Sequence, residues 1–272
     1  MKIKKRLDVM VHLRGLAQSR EQASAIIISG NVFVDGQRAD KPGEQCRQDC
    51  LIEIKSNPKY VSRGGLKLEK AIETFGINLQ NLVAVDVGAS TGGFTDCMLK
   101  YGCVKVYAID VGYGQLAWNL RQDSRVINLE RNNIRFLDKN LIRDPINFFT
   151  VDVSFISLCL ALSSLNKIII GNDVRDVSGV CLIKPQFEAG KGKVGKNGVI
   201  RDAKTRVETI EKVICFCLDN GFTVKALDFS PIRGPKGNIE FLIYLIKTKS
   251  PCVLLESSPQ EVEELARKFF GQ

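Results

Sequence analysis

The residues able to do chemistry in this chain cluster at the ends of short apolar runs. Asp86 stands near the end of Val83–Val87, and Asp110 follows Lys105–Ile109. Asp152 lies near the end of Phe148–Val153, and Lys184 follows Val180–Ile183. Runs of this kind make buried parallel strands. In an open parallel sheet the strand ends on one edge line a ligand crevice, so Asp86, Asp110, Asp152 and Lys184 should converge there. After the first run comes a turn of small residues, Gly88, Ala89, Ser90, Thr91, Gly92 and Gly93. A helix over Phe94–Tyr101 should follow, with Gly102 stopping it in the left-handed conformation. The glycines permit a close backbone approach, and the helix start offers free N–H donors.

The pattern Asp86-x-Gly88-x-Ser90-x-Gly92 narrows the ligand. A dinucleotide fingerprint would carry glycine where Ser90 stands. An acid two residues before the first glycine suits a ligand with an amino group, such as the methionine part of S-adenosylmethionine. Asp110 is placed for ribose hydroxyls, which NAD and S-adenosylmethionine share. The polar turn Glu130-Arg131-Asn132-Asn133 can contact an adenine. A glycine turn kept only for packing is the competing reading. Gly190–Gly198 nearly spells a P-loop, but Asn197 stands where Mg²⁺ binding needs Ser or Thr, and Gly198 follows at once. That excludes a P-loop and leaves the expectation of a mobile lid over an anionic substrate.

Composition bounds the partners. The 272 residues carry a formal net charge of +9. That favours an anionic partner such as nucleic acid or a membrane surface. The 44% hydrophobic content supports a sizeable core. Nine cysteines lack disulfide-like spacing, and the one histidine, His12, is far from the Cys215/Cys217 pair. Reduced thiols and no metal site are expected. His12 reads as a helix surface residue. The start MKIKKRLD has no apolar continuation, and no run approaches a membrane span. A soluble, cytoplasmic protein is expected.

Residues 1–55 read as a separate module. Leu7, Met10, Val11 and Leu13 have helical spacing, ended by Gly15. Ser19 should cap a second helix with Ala23, Ile26 and Ile27 on its apolar stripe, ended by Gly30. Val32–Gly36 reads as a strand running into a hairpin turn, and Leu51–Lys55 as a further strand. Arg6, Arg14 and Arg20 lie on or beside the two helices and can reach phosphates. Residues 56–61 read as a linker marked by Pro58. In the next helix Leu66, Leu68, Ala71, Ile72 and Phe75 form the expected core stripe, with Lys67 off it. Further elements are a helix at Gln115–Leu120, a strand at Val126–Leu129, a helix at Thr205–Leu218, and strands at Phe222–Phe229 and Ile239–Ile246. Ser258-Pro259-Gln260-Glu261 is a capping box opening a tail helix within 250–272, with Val262, Leu265, Ala266 and Phe269 on one face.

The motifs YVSRGGLKLEKA, VDVGASTGGFTD, AIDVGYGQLAW, VDVSFISL, LIKPQFEAG and PIRGPKGNIEFL occur in this order. Over roughly residues 3–247 the chain resembles the TlyA (hemolysin A) family. That family joins an S4-like RNA-binding domain to an FtsJ-like 2′-O-ribose methyltransferase of rRNA. The resemblance implies an α/β fold: a Rossmann-like class I methyltransferase sheet over 62–249, with a small N-terminal α+β RNA-binding domain over 1–55. It implies S-adenosylmethionine as cofactor, and rRNA and ribosomal subunits as partners, with a cytidine as the modified nucleotide and no role for metal or membrane.

FtsJ-like enzymes use a Lys-Asp-Lys-Glu tetrad, which falls on Lys67, Asp152, Lys184 and Glu240. By this resemblance Lys184 is the base, Asp152 holds it and borders the donor methyl, and Lys67 and Glu240 orient ribose and lysine. Donor contacts fall on Asp86, Gly88, Ser90, Gly92, Gly93, Phe94, Asp110, Asn133 and Asp152. RNA contacts fall on Arg6, Arg14, Arg20 and Arg63. Two alternatives remain: a ribosome-binding factor with an inactive methyltransferase domain, and a membrane-lytic protein, as the older family name implies.

Overall fold

A computed structural model describes residues 4–17, 19–28, 30–54, 59–169, 177–190 and 192–271. The N-terminal segment opens with β1 (Lys4–Arg6), α1 (Leu7–Leu13) and α2 (Arg20–Ile28). Then come β2 (Val32–Val34), β3 (Gln37–Ala39), β4 (Gln45–Arg47) and β5 (Ile52–Ile54). Leu7, Val11, Ala23, Ile27 and Val32 are fully buried between helices and strands. Asp35 and Gly36 both take positive φ, as a two-residue hairpin between β2 and β3 requires. Strand β5 pairs with the other edge of β2. The antiparallel β1–β4 pair escapes sequence reading, because KKR and QCR show no apolar alternation. Residues 56–58 of the expected linker, and Lys55 of the expected strand, lie outside the described residues.

The larger segment begins with α3 (Gly64–Phe75), β6 (Val83–Val87), α4 (Gly93–Lys100) and β7 (Lys105–Asp110). It continues through α5 (Trp118–Arg121), β8 (Val126–Glu130), β9 (Phe148–Val151), α6 (Leu158–Ile169) and β10 (Ser178–Ile183). The rest is α7 (Pro185–Glu188), α8 (Ala203–Asp219), β11 (Phe222–Phe229), β12 (Phe241–Lys247) and α9 (Pro259–Phe269). One seven-stranded sheet has the order β11-β12-β10-β9-β6-β7-β8. Strands β10, β9, β6, β7 and β8 run parallel, and β12 is antiparallel to both its neighbours. Strand order reverses between β6 and β9, which opens the crevice at their C-terminal ends.

Helices cover both faces, so the central strands are mostly apolar and buried. One face buries Phe149, Val151 and Ile183 under α6, α8 and α9. The other buries Ala84, Val106 and Leu182 under α3 and α4. Two sequence expectations change here. Leu66 is partly exposed and Lys67 is buried, because the first turn of α3 faces the sheet's C-terminal edge rather than its core. The helix expected from Gln115 forms only over α5, and the strand expected to reach Val153 stops at Val151, leaving Asp152 in the crevice. Helix α6, not among the elements expected from the sequence, lies between β9 and β10.

Candidate active site

Helix α3 brings the first lysine to the crevice. Its opening Ser62-Arg63-Gly64-Gly65 lies directly on the start of α4. A Cβ at Gly93 would stand 2.3 Å from Ser62 Oγ and 2.9 Å from the Gly65 amide nitrogen. Only glycine allows that contact, and it sets Lys67 over the end of the sheet. Lys67 Nζ donates to Glu240 Oε2 at 2.7 Å, with both side chains at most 9% exposed. Burial pulls the Lys67 pKa down, but the carboxylates of Asp152 and Glu240 outweigh it and leave the pKa raised. Lys67 is therefore a fixed positive charge. Gln186 Nε2 donates to the other Glu240 oxygen at 3.4 Å.

A second pair stands beside the first. Lys184 Nζ lies 2.6 Å from Asp152 Oδ1 and donates to Ser154 Oγ at 2.9 Å. Burial would raise the Asp152 pKa, but Lys67 and Lys184 outweigh it and lower it. The four residues of the expected tetrad are thus together. Ser154 and Gln186 were not singled out in the sequence. The available signal was their position two residues beyond Asp152 and Lys184.

Two cavities open on this cluster. The first, about 270 Å³, is lined by Arg63, Lys67, Lys184, Glu240 and Arg233, and Ile28 of α2 reaches its wall. The second, about 400 Å³, is lined by Asp110, Gln115, Asn132, Asn133 and Phe155. Gly88, Ser90, Asp152 and Ser154 line both. Molecules seated in the two cavities would meet at Asp152 and Ser154, next to the Lys184 amine.

The second cavity has the size of a small-molecule site. The Asp110 carboxylate is fixed on its wall by the backbone N–H groups of Ser90 at 2.8 Å and Gly112 at 2.7 Å. Lone pairs remain for hydroxyl donors. Asn133 Oδ1 accepts the Arg135 amide at 3.0 Å, while Asn132 Nδ2 donates to the Glu130 carbonyl at 2.9 Å. Both asparagines keep polar atoms for a base. A Cβ at Gly88 would stand 2.6 Å from the Asp152 carbonyl, so only glycine lets this turn pack against the backbone at the end of β9. Hydroxyl-binding acid, amide side chains and glycine cradle fit an adenosyl ligand. Phe155 sits at the rim with φ of 66° and 91% exposure, an unusual state for an aromatic residue.

Other expected site residues fall elsewhere. Gly93 and Phe94 line the first cavity, not the second, and Gly92, with φ of 96°, packs under Leu116 and Leu120. Asp86 does not line either cavity. It is fully buried, and its two oxygens accept from Thr95 Oγ1 at 2.6 Å and Thr150 Oγ1 at 2.8 Å. Burial pushes its pKa up to about 6. It ties β6 to α4 and β9, and cannot reach an amino group in the crevice.

The arginines expected on RNA are partly committed. Arg6 and Arg20 both bind the buried Asp8 carboxylate, at 2.9 and 3.0 Å. Arg14 donates to the Cys50 and Gln48 carbonyls. Their outer faces stay solvated, with Arg6 46% and Arg20 52% exposed. In the expected lid, Lys193 pairs with Glu208 of α8, and Lys191 lies outside the described residues.

Residues 60–247 match the FtsJ-like methyltransferase family, and residues 5–49 match the S4 domain. The chain belongs to the FtsJ-like methyltransferase family. "Putative rRNA methyltransferase YqxC" of Bacillus subtilis is 47% identical over 245 residues, covering 89% of this chain and 85% of that protein. The 16S/23S rRNA (cytidine-2′-O)-methyltransferase TlyA of Mycobacterium tuberculosis is 41% identical over 242 residues, covering 88% and 89%. Among solved structures, "Putative hemolysin from Streptococcus thermophilus" superposes with a TM-score of 0.79 at 45% identity, covering 100% of this chain and 98% of that one. Among the described residues, no helix of this FtsJ-like chain is long and apolar enough to cross a membrane. Its amphipathic tail helix α9 already packs Val262 and Ala266 into the core.

Proposed function

We propose that this protein methylates the ribose 2′-oxygen of rRNA, with S-adenosylmethionine as donor. The observation that carries this reading is the meeting of two cavities at Asp152 and Ser154, with the Lys184 amine at the junction. Gly88, Ser90, Asp110, Asn132 and Asn133 would hold the donor. When bound, S-adenosylmethionine supplies a methyl group already activated by the sulfonium, so the chemistry needs no Lewis acid.

The chain's residues then act on the ribose. Lys67 is held charged and is unsuited to accept a proton. Lys184, whose amine stands where the two cavities meet, takes the 2′-OH proton as the oxygen attacks. Asp152 and Ser154 aim its nitrogen, and Lys67 and Glu240 orient the ribose. General base catalysis contributes about 10²–10⁴-fold, and alignment of the two reactants supplies much of the rest. Phe155 offers a stacking face for an unpaired base at the rim. Residues 1–55 serve as the RNA-binding domain, 62–249 as the methyltransferase domain, and 250–272 as a helical tail. The outer faces of Arg6, Arg14 and Arg20 would follow RNA phosphates, as positioning contacts do.

The test is transfer of isotopic methyl from S-adenosylmethionine to ribosomal subunits and to naked rRNA, with the labelled nucleotide mapped. Label on a ribose 2′-oxygen is the expected result. Donor binding without transfer to any rRNA form would refute it.

A further inference from the structure

Arg233 has no assigned role, yet it stands in the wall of the first cavity. The lysines there are paired with carboxylates; Arg233 has no carboxylate partner among the described residues. One Nη donates to the Phe270 carbonyl at 2.8 Å. Its Nε is buried and has no hydrogen-bond partner among the described residues. With Nε buried and one Nη on Phe270, the remaining Nη N–H donors are the ones that can face the cavity, and a guanidinium N–H there suits a phosphate oxygen.

The C-terminal segment holds it there. The Phe270 ring centroid lies 4.9 Å from Arg233 Cζ. Phe270 packs edge-on against Phe229 and Phe269, at 6.2 and 5.0 Å between centroids. On the other side Lys70 of α3 lies 3.4 Å over the Phe229 ring and donates to the Phe229 carbonyl. Helix α9 is itself anchored by the buried Arg206–Glu263 pair. The connection that carries Arg233 also closes on itself, with Gly234 N–H bonded to the Asn238 carbonyl at 2.9 Å. Two residues beyond Asn238 stands Glu240 of the tetrad.

We infer that Arg233 contacts the RNA phosphate adjoining the reacting ribose, and that the end of the C-terminal helix is the element that positions it. The tail thereby forms part of the substrate site. This rests on the reading of the crevice as an RNA methyltransferase site.

The experiment compares wild type, Arg233→Ala, Arg233→Lys, a chain ending at Lys268, and that truncation combined with Arg233→Ala. Steady-state transfer to rRNA gives KM and kcat, and calorimetry gives donor affinity. Binding of a labelled rRNA fragment is followed across a salt series. Arg233→Ala should raise KM for RNA on the order of tenfold, leaving kcat and donor affinity nearly unchanged. The slope of log K against log salt should shrink by roughly 0.7 to 0.9, one phosphate contact. Arg233→Lys should restore part of both. The truncation should reproduce the KM rise and add nothing to Arg233→Ala. If the truncated chain does not fold, Phe270→Ala takes its place. An unchanged KM and salt slope in Arg233→Ala, with active wild type, would overturn this inference alone. A truncation with normal KM would overturn the role of the tail. Wild type that binds donor but modifies no RNA would refute the underlying reading and this inference with it.

Discussion

Lys67 and Glu240 lie 173 positions apart in the chain, yet Lys67 Nζ reaches Glu240 Oε2 at 2.7 Å in a buried pair. The helix that precedes the sheet is thus pinned to the start of its last strand. The four residues come together only when β9, β10 and β12 have paired, because Asp152 follows β9 and Lys184 follows β10.

Removing one partner should cost stability and activity together. Glu240→Ala or Lys67→Ala leaves an unpaired buried charge, which costs about 3–5 kcal/mol. Lys67→Met combined with Glu240→Leu should recover most of that stability and none of the transfer. Urea unfolding and the methyl-transfer assay, run on the same samples, check this. Recovery of transfer in the double variant would show that the pair is only a brace.

Lys184→Ala should separate binding from chemistry. The amine sits at the junction of the cavities, not on the walls expected to hold the donor. The expected outcome is a fall in kcat of about 10²–10⁴ with donor affinity kept. Lys184→Arg should be as impaired, since a guanidinium does not give up its proton. Loss of donor binding in a folded Lys184→Ala protein would contradict the assignment of the base.

Asp86 makes a pH prediction. Its folded pKa of about 6 is above the ordinary 3.8. The folded state therefore holds this proton more tightly than the unfolded chain. Its favourable contribution is full below pH 4 and is lost as pH rises through 6. The difference is on the order of 3 kcal/mol at neutral pH. Asp86→Asn, which keeps an acceptor for one threonine and offers a donor to the other, should flatten the stability profile between pH 4 and 6. It should leave donor affinity unchanged. Thermal melts across that range and calorimetric donor titration read both; a large loss of donor affinity would restore Asp86 to the ligand site.

Much of this arrangement was legible from periodicity and motifs. The run Val83–Val87 appears as a strand at the expected residues, because a buried parallel strand is apolar on both faces, and Phe222–Phe229 appears as the antiparallel edge strand β11. The capping box at Ser258 and Glu261 also forms, since it depends on four local residues. What local pattern could not resolve was direction. Helical spacing placed Leu66 inside and Lys67 outside, and the reverse holds because Glu240 and Asp152 draw the lysine to the sheet edge. Asp86 looked like a ligand because its motif position is near the crevice. Its orientation is set by Thr95 and Thr150, which belong to other elements and carry no signal in the local sequence. The Arg206–Glu263 pair is invisible for the same reason.

That pair makes the last prediction. Arg206 and Glu263 are among the most deeply buried charges in the chain, at 1% and 2% exposure. Arg206 Nε donates to Glu263 Oε1 and its Nη1 to the Ile200 carbonyl, both at 2.9 Å, while Arg267 binds the other Glu263 oxygen at 2.9 Å. Glu263→Ala would leave the Arg206 guanidinium charged and buried with only the Ile200 carbonyl, among the described residues, to accept from it, at a cost of about 3–5 kcal/mol. Exchanging both for apolar residues, Arg206→Met with Glu263→Leu, should be near neutral or stabilising, because the desolvation cost of the pair disappears with its attraction. Urea unfolding of the two single variants and the double variant gives the coupling. The tail should also loosen in Glu263→Ala, with faster amide exchange over 259–269 and a raised KM for RNA, because Phe270 no longer holds Arg233. Glu263→Ala with wild-type stability and protected amides would mean that Val262, Ala266 and the aromatic end of the helix anchor it without the ion pair.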